Sequence, residues 1–259
     1  MILRSVTKHI KDQNWFAVAL DLVIVVFGVF MGIQVANWNQ NLENQRTANK
    51  YLERLEDDLQ YEKESYQNTA SYFKSVLSYA SSALGAYNKP TNQLSVDFLI
   101  DHYQASQTQE IPARRATYDE LLATGRIELI SNEKIRIAIS NFYENSGARS
   151  MTMNRNTYLP YRILVRMQMD ETVQIKIREH CGDKFKVRKD GVFYLQLPSI
   201  CKINIPSYLV KQEIEKILAN DNIRQNLRLK QSALEIMLRS LNNGINSTEL
   251  ALKTLNEAK

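Results

Sequence analysis

Few residues in this chain are of the types that carry out catalysis or bind metals. The sequence holds three histidines, His9, His102 and His180, and two cysteines, Cys181 and Cys201. Neither His102 nor His180 has a second ligand at the spacing of a zinc site. Cys181 directly follows His180, but adjacent side chains point in different directions, so the pair is not arranged as a nucleophile and its base. We therefore expect no catalytic site and no metal site.

Recognisable nucleotide-binding and hydrolase motifs are also absent from the sequence. It contains no Walker loop, no dinucleotide-binding fingerprint, no HExxH helix and no nucleophile elbow. The acidic pair Asp119 and Glu120, and the acidic run Glu56, Asp57 and Asp58, are most simply carboxylates on helix surfaces. These observations predict a protein that is not an enzyme and has no small-molecule cofactor.

The segment from Cys181 to Cys201 is the stretch with the clearest strand character. Basic and apolar residues alternate, an Asp-Gly turn follows, and an apolar run returns the chain, which is the pattern of a β-hairpin. The basic residues before the turn are Lys184, Lys186, Arg188 and Lys189. Such a hairpin brings the two cysteines together at its base. In an oxidising compartment they would form a disulfide worth about 3 kcal/mol, and in a reducing one they would be two buried thiols.

The net charge of +5 is concentrated around this insert. Residues 144–189 contain ten Lys and Arg against five Asp and Glu, and the rest of the chain is balanced. A basic face can bind anionic lipid headgroups, an acidic protein or another polyanion. The alternative is an ordinary solvated surface. The four basic residues of the hairpin are the predicted anionic-surface contact.

The elements that position these residues begin with an apolar segment near the N-terminus. Trp15 and Trp38 enclose 22 residues, of which the first 21 include only Asp21 and Gln34 as strongly polar residues. A helix of about 20 apolar residues crosses a hydrocarbon core of roughly 30 Å, and tryptophans at both ends are typical interfacial anchors. We therefore predict a transmembrane helix over residues 15–38 rather than a buried core helix or a cleaved signal peptide.

Basic residues on both flanks give the predicted orientation. Three precede the span and three follow it: Arg4, Lys8, Lys11, Arg46, Lys50 and Arg54. Lys11 lies closer to the span than Arg46 does, so the positive-inside rule favours a cytoplasmic tail of residues 1–14. Residues 39–259 would then form an extracytoplasmic domain.

Four residues of the span share one helix face. Asp21, Gly28, Gly32 and Asn39 lie within about 20° of one line at 100° per residue. Small residues four apart let helices approach closely, and an intramembrane carboxylate needs a partner or water. We expect a membrane-helix interface, with a second copy or another membrane protein. The alternative is that glycine is common in membrane helices and Asp21 reaches the headgroups.

The rest of the sequence predicts a mainly α-helical bundle. It holds only eight glycines and five prolines, and no Pro or Gly occurs from Asn37 to Leu84, so the membrane helix is expected to continue as a long rod ending near Gly85. The rod carries an alternating three- and four-residue stripe with two polar positions. The stripe comprises Leu55, Leu59, Glu62, Tyr66, Thr69, Phe73, Val76, Ala80, Ala83 and Tyr87.

Further helices are predicted along the chain. Residues 113–145 have the pattern of a helical hairpin, with Thr117 and Glu120 as a capping box, Gly125 as a helix end and Ser131 or Asn132 as the next cap. Apolar periodicity resumes over residues 209–241, and a stop is expected at residues 242–244 before a last short helix.

DNA-reading helix-turn-helix proteins share the outline of this helical hairpin. The second helix, however, presents only Lys134 and Arg136 to a groove, and export would remove the DNA. We therefore expect no nucleic-acid partner.

Two segments resemble an uncharacterised bacterial family of single-pass inner-membrane proteins. The first runs from Asp21 to Asn39 and contains the acidic residue, the mid-span Gly28, Gln34 and the Asn37-Trp38-Asn39 exit that recur in that family. The second, residues 117–130, resembles its central motif. The resemblance implies a bacterial inner-membrane location, but no activity, ligand or catalytic residue.

These features together predict a non-enzymatic, membrane-anchored envelope protein that acts through protein–protein assembly. The alternative is an extracytoplasmic ligand-sensing bundle that signals through a membrane partner.

Overall fold

The computed structural model describes residues 15–110, 114–157, 160–187 and 193–257, with the backbone alone for residues 147–157. The cytoplasmic tail predicted for residues 1–14, and the basic residues Arg188 and Lys189, lie outside the described residues.

The mainly helical architecture predicted from the sequence is confirmed. Helices make up most of the described residues, and they are accompanied by two short 3₁₀ turns and a two-stranded sheet. The elements are α1 (Trp15–Ala86), α2 (Val96–Ala105), α3 (Ala116–Ala123), α4 (Glu133–Thr157), α5 (Pro160–Gln168), α6 (Glu171–Cys181), β1 (Lys184–Val187), β2 (Phe193–Gln196), α7 (Ser207–Leu218) and α8 (Asp221–Glu257).

Helix α1 forms the axis of the molecule. Its 72 residues extend for about 110 Å at 1.5 Å per residue. The N-terminal part is long and apolar enough to cross a membrane, and none of its apolar window is buried by the rest of the chain. The first buried residue is Ala48. The predicted rod is therefore confirmed, and its N-terminal third projects free of the bundle.

Helix α8 runs antiparallel to α1 and covers its apolar stripe. Lys63 pairs with Glu249 at 2.8 Å, whereas Ser81 accepts a hydrogen bond from Gln231 at 3.1 Å, so residue numbers rise along one helix as they fall along the other.

The helix stop predicted at residues 242–244 is wrong. Helix α8 continues through Gly244, which is buried between the apolar residues Leu241 and Ala251. The Thr248 hydroxyl donates to the Gly244 carbonyl at 2.7 Å. Glycine costs a helix interior about 1 kcal/mol relative to alanine, and burial of the turns on either side offsets that loss.

The core consists of two apolar clusters arranged along α1. The proximal cluster, nearer the apolar N-terminal segment, packs α1 residues 51–59 against α3, α4 and the end of α8. The distal cluster begins at Tyr66 and packs the rest of α1 against α2 and α5 to α8. Asp58 and Glu62 lie between them and are buried.

The predicted helical hairpin is present as α3 and α4. Gly125 follows α3 with φ of 67°, a left-handed conformation that glycine adopts without steric cost. The Asn132 side chain accepts the backbone N–H of Lys134 at 3.0 Å, so the predicted cap is confirmed.

The capping box predicted for α3 is wrong, because the carboxylate of Glu120 is used elsewhere. It accepts hydrogen bonds from the Tyr51 hydroxyl and the Arg54 guanidinium of α1, each at 2.7 Å. Thr117 is buried inside the helix rather than capping it, and no side chain caps the N-terminus of α3.

The β-hairpin insert is present with the predicted disulfide at its base. Strands β1 and β2 are antiparallel, with Lys184 opposite Gln196 and Val187 opposite Phe193. Cys181 and Cys201 are bonded, with their Cα atoms 5.3 Å apart. The predicted hairpin and its pairing are therefore confirmed.

Hydrogen bonds from the helices hold the ends of this insert. The Tyr72 hydroxyl donates to Asp183 at 3.0 Å, and the Tyr79 hydroxyl donates to the Pro198 carbonyl at 3.0 Å. Gln104 of α2 donates to the Cys181 carbonyl.

Removing the disulfide with the double substitution Cys181→Ser and Cys201→Ser should lower the free energy of unfolding by about 3 kcal/mol, because it releases a closed loop of about 20 residues in the unfolded chain. Urea denaturation followed by circular dichroism measures the loss. Reduced wild-type protein should match the double variant, and equal stability of the oxidised wild type and the variant would contradict the prediction.

Candidate functional site

The face of α1 that we call the uncovered face is the first candidate site; Asp21 on it is half-buried, and Gly28, Gly32 and Asn39 are exposed. Asp21, Gly28, Gly32 and Asn39 lie on one continuous helix, so their predicted alignment follows from helical geometry. A Cβ added at Gly28 or Gly32 would meet no atom within 4 Å. This face therefore offers a smooth, open groove in which a second helix backbone can approach closely.

The two tryptophans mark the ends of this exposed segment. Trp15 and Trp38 are 69% and 64% exposed, although both are large apolar residues. They lie about 35 Å apart along α1, which matches a hydrocarbon core of roughly 30 Å with both rings at the headgroup level. Large apolar side chains exposed around the whole helix between them are unsuited to water.

The basic hairpin lies far from this segment. Lys184 and Lys186 are exposed, but their hairpin is held at the level of Tyr72, which is 34 residues beyond Trp38. At 1.5 Å per residue that is about 50 Å along α1. If residues 15–38 cross a bilayer, its headgroups are out of reach of these lysines.

Two cations of the predicted basic stretch, together with Lys230 of α8, face the interior. Arg162 donates to the Ser106 carbonyl at 2.8 Å, Arg166 donates to the Ser106 hydroxyl at 2.7 Å, and Lys230 reaches the Gln107 carbonyl at 3.4 Å. All three cations therefore surround the C-terminal end of α2, where carbonyl groups carry partial negative charge.

Burial changes the acidity of two of these cations. The Arg166 guanidinium stacks on the Tyr103 ring at 3.3 Å, and burial lowers its pKa to about 10. Burial also lowers the pKa of Lys230 to about 8. The charge count of residues 144–189 gave no sign that Arg162 and Arg166 face inward, because it counts charges without regard to the side on which a helix buries them.

A second buried polar group lies between the two apolar clusters, and we call it the polar layer. It consists of Asp58 and Glu62 on α1, Tyr143 on α4, and Arg114. Arg114 pairs with Asp58 at 2.7 Å through its side chain, and its backbone N–H donates to Glu62. Asp58, expected on a helix surface, is 4% exposed, so that expectation is wrong. The stripe predicted the inward position of Glu62 but not that of Asp58.

Burial dominates the acid–base properties of the polar layer. Removal from water, with a smaller contribution from the neighbouring Asp58 charge, raises the pKa of Glu62 to about 7. Burial also raises the pKa of Tyr143, as do the charges of Asp58 and Glu62. The two carboxylates and the phenol are therefore close enough to influence one another.

His102 has a structural position. It is fully buried, its Nδ1 donates to the Phe98 carbonyl at 3.0 Å, and its Nε2 therefore accepts from the Tyr87 hydroxyl at 3.0 Å. Burial lowers its pKa to about 4, so the ring is neutral. His180 is exposed, and its ring lies 3.0 Å from the Lys176 carbonyl. Within the described ranges, no three His, Cys, Asp or Glu side chains are grouped as metal ligands.

The buried neutral His102 predicts acid sensitivity. The folded pKa of His102 is about 4, below the usual 6.5. The stability that depends on its neutral ring is therefore fully present above pH 6.5 and is lost as the pH falls towards 4. The free energy of unfolding should decrease by up to about 3 kcal/mol over this range. His102→Gln, which keeps a donor and an acceptor, should remove this component. The measurement is urea denaturation of both proteins at several pH values, and a stability difference that stays constant from pH 7 to 4 would contradict the assignment.

Comparison with known proteins identifies a family but no relative of known activity. Residues 21–159 match the model of a family of unknown function, DUF6090. No curated protein and no solved structure matches the chain. The matched region includes the uncovered face of α1 and the polar layer, and it ends before the disulfide-bonded hairpin. Because the match spans more than half of the chain, the protein belongs to the DUF6090 family.

Proposed function

We propose that this protein is a non-enzymatic, membrane-anchored assembly protein whose uncovered α1 face pairs with a second copy or with another membrane protein. The observation that carries the proposal is the exposed apolar segment of α1 with Asp21, Gly28 and Gly32 on one face. We further propose that α1 crosses a bacterial inner membrane once, with residues 1–14 in the cytoplasm and residues 39–259 in the periplasm.

The chemistry of the face supports pairing rather than contact with lipid alone. A carboxylate at the centre of a membrane helix costs about 3 kcal/mol, and less near the headgroups, unless it meets a partner or water. Asp21 lies six residues, or about 9 Å, inside Trp15. A facing helix can supply a donor to Asp21, and the open surfaces of Gly28 and Gly32 let its backbone come close.

The continuity of α1 supports a role in which the membrane segment positions the bundle. One uninterrupted helix links Trp15 to Ala86, with neither Pro nor Gly from Asn37 to Leu84. Sharp helix kinks occur mainly at such residues or at bulges, so rotation of the membrane segment is transmitted to the bundle. Pairing at Gly32 would thus set the orientation in which two bundles face each other.

The disulfide supports the proposed compartment. Disulfides persist in oxidising compartments such as the bacterial periplasm and are rare in the cytosol. Cys181 and Cys201 are bonded in the structure, and both lie in the domain that the positive-inside rule assigns to the periplasm.

A second candidate function is ligand sensing by the bundle. A cleft of about 190 Å³ lies between α1 and the hairpin, lined by Tyr61, Asn68, Gln109 and Phe193 among others. The Gln109 Oε1 atom is buried and has no hydrogen-bond partner in the described part of the chain. Specific thermal stabilisation by a small polar metabolite would favour this function.

Two kinds of change on the uncovered face should disrupt assembly: added bulk at Gly32, and loss of the Asp21 carboxylate. Gly32→Ile and Asp21→Ala should each weaken self-association about tenfold, the effect of roughly 1.4 kcal/mol at a membrane-helix contact. Ala19→Ile is the matched control, because Ala19 lies opposite Gly28 on the helix and the substitution also places Ile at a small residue. Native mass spectrometry from mild detergent at several protein concentrations measures the association.

The same experiment can contradict the proposal of self-association. A wild-type protein that stays monomeric at all concentrations would do so, as would the same mass distribution for Gly32→Ile, Ala19→Ile and the wild type.

A further inference from the structure

The polar layer interrupts the apolar face of α1 that packs against the bundle. Asp58 and Glu62 are one helical turn apart on the side of α1 that packs against the bundle, and they are 4% and 1% exposed. The described cation paired with them is Arg114, whose side chain is 46% exposed. Buried carboxylates of equal sign are unfavourable unless their charge is compensated.

The charged and titratable groups around Glu62 come from three elements. On α1 they are Asp58 and Tyr66, whose hydroxyl hydrogen-bonds the Glu62 carboxylate. The segment before α3 supplies Arg114, and α4 supplies Tyr143, whose ring is stacked on Tyr118 of α3 with centroids 4.7 Å apart.

Two neighbouring ionic groups are occupied elsewhere. Arg115 donates to the Tyr143 carbonyl at 2.7 Å and to Asp119 at 3.1 Å. Lys63 pairs with Glu249 of α8. Neither therefore neutralises Glu62 directly.

Three atoms of the polar layer have no hydrogen-bond partner among the described residues. They are Asp58 Oδ2, Glu62 Oε2 and the Tyr143 hydroxyl, and all three are buried. With both carboxylates ionised, these atoms comprise two acceptors and a single donor. A proton on Glu62 removes one of the two buried negative charges and so lowers the cost of leaving its oxygen without a partner.

We propose that Glu62 binds a proton in the folded protein and that release of this proton loosens the contact of α4 with α1. The released form places a second buried negative charge beside Asp58 with the single guanidinium of Arg114 to compensate both. The ionised carboxylate then lies between the proximal and distal clusters without access to water, so its hydration requires the elements packed over it, α4 among them, to move away from α1.

The position of this proton site gives it a regulatory role. Helix α4 and α3 cover the part of α1 that lies nearest the apolar segment. Loosening α4 near neutral pH would change the base of the bundle. The biological consequence rests on the proposed function, since an exported domain meets external pH, but the proton site itself can be tested on purified protein.

The test compares wild-type protein with Glu62→Gln, which keeps the shape and supplies a permanent donor. Glu53→Gln is the matched control, because Glu53 is an exposed glutamate of the same helix. Thermal unfolding in detergent is measured from pH 4.5 to 7.5 for all three proteins.

The expected signature is a pH-dependent difference. A carboxyl whose folded pKa is raised stabilises fully below its unfolded pKa and loses that contribution as pH rises through the folded value. The Tm of Glu62→Gln relative to wild type should therefore increase by about 5 °C or more between pH 4.5 and 7.5. The Glu53→Gln difference should stay flat. The protection factors of wild-type residues 133–146 in hydrogen exchange, which correct for the base-catalysed rise of the intrinsic rate with pH, should fall over the same range.

Two results would overturn the proposal. One is parallel Tm curves for wild type and Glu62→Gln. The other is a wild-type Tm that differs between Ca²⁺ or Mg²⁺ and a chelator, with no such difference in Glu62→Gln. That result would mean that a metal cation, and not a proton, is bound at Glu62. If Glu62→Gln does not fold, carboxyl carbon NMR of wild-type protein decides: a glutamate titrating near pH 7 supports the site, and all glutamates titrating near 4.5 overturn it.

Discussion

The structure depends on one constraint, which is that a single helix must serve two environments. Helix α1 is apolar on all sides between Trp15 and Trp38 and amphipathic from Ala48 onward. Each later element packs directly or indirectly on its second part, and α8 returns along it as the longest partner. The fold is therefore a bundle built on a rod whose free end is unsuited to water, which is why its membrane face dominates the proposed function.

Polar contacts inside the bundle divide its core into separate regions. The polar layer separates the proximal from the distal cluster, and the cations around the end of α2 lie within the distal half. Such groups add little net stability, but a shift of one helix would leave their paired atoms buried without partners. They therefore restrict how α4, α5 and α8 can pack on α1.

The sequence predicted the elements governed by local rules. Periodicity and the absence of Pro and Gly gave the extent of α1, and alternation with an Asp-Gly turn gave the hairpin and its disulfide. Predictions failed where distant contacts override local preference. Gly244 does not stop α8 because packing buries the turns around it, and Glu120 leaves its cap for Tyr51 of α1. The inward orientation of Asp58 depends on Arg114, a partner 56 positions away, which no local pattern reveals.

The central claim is that α1 crosses a membrane and holds a folded, disulfide-bonded bundle on its outer side. Labelling Cys181 and Cys201 with a membrane-impermeant maleimide, in cells whose outer membrane has been opened, tests this most directly. A disulfide-bonded bundle on the outer side should be labelled only after treatment with a reductant. Labelling that requires lysis of the inner membrane would place the bundle in the cytoplasm and contradict the account.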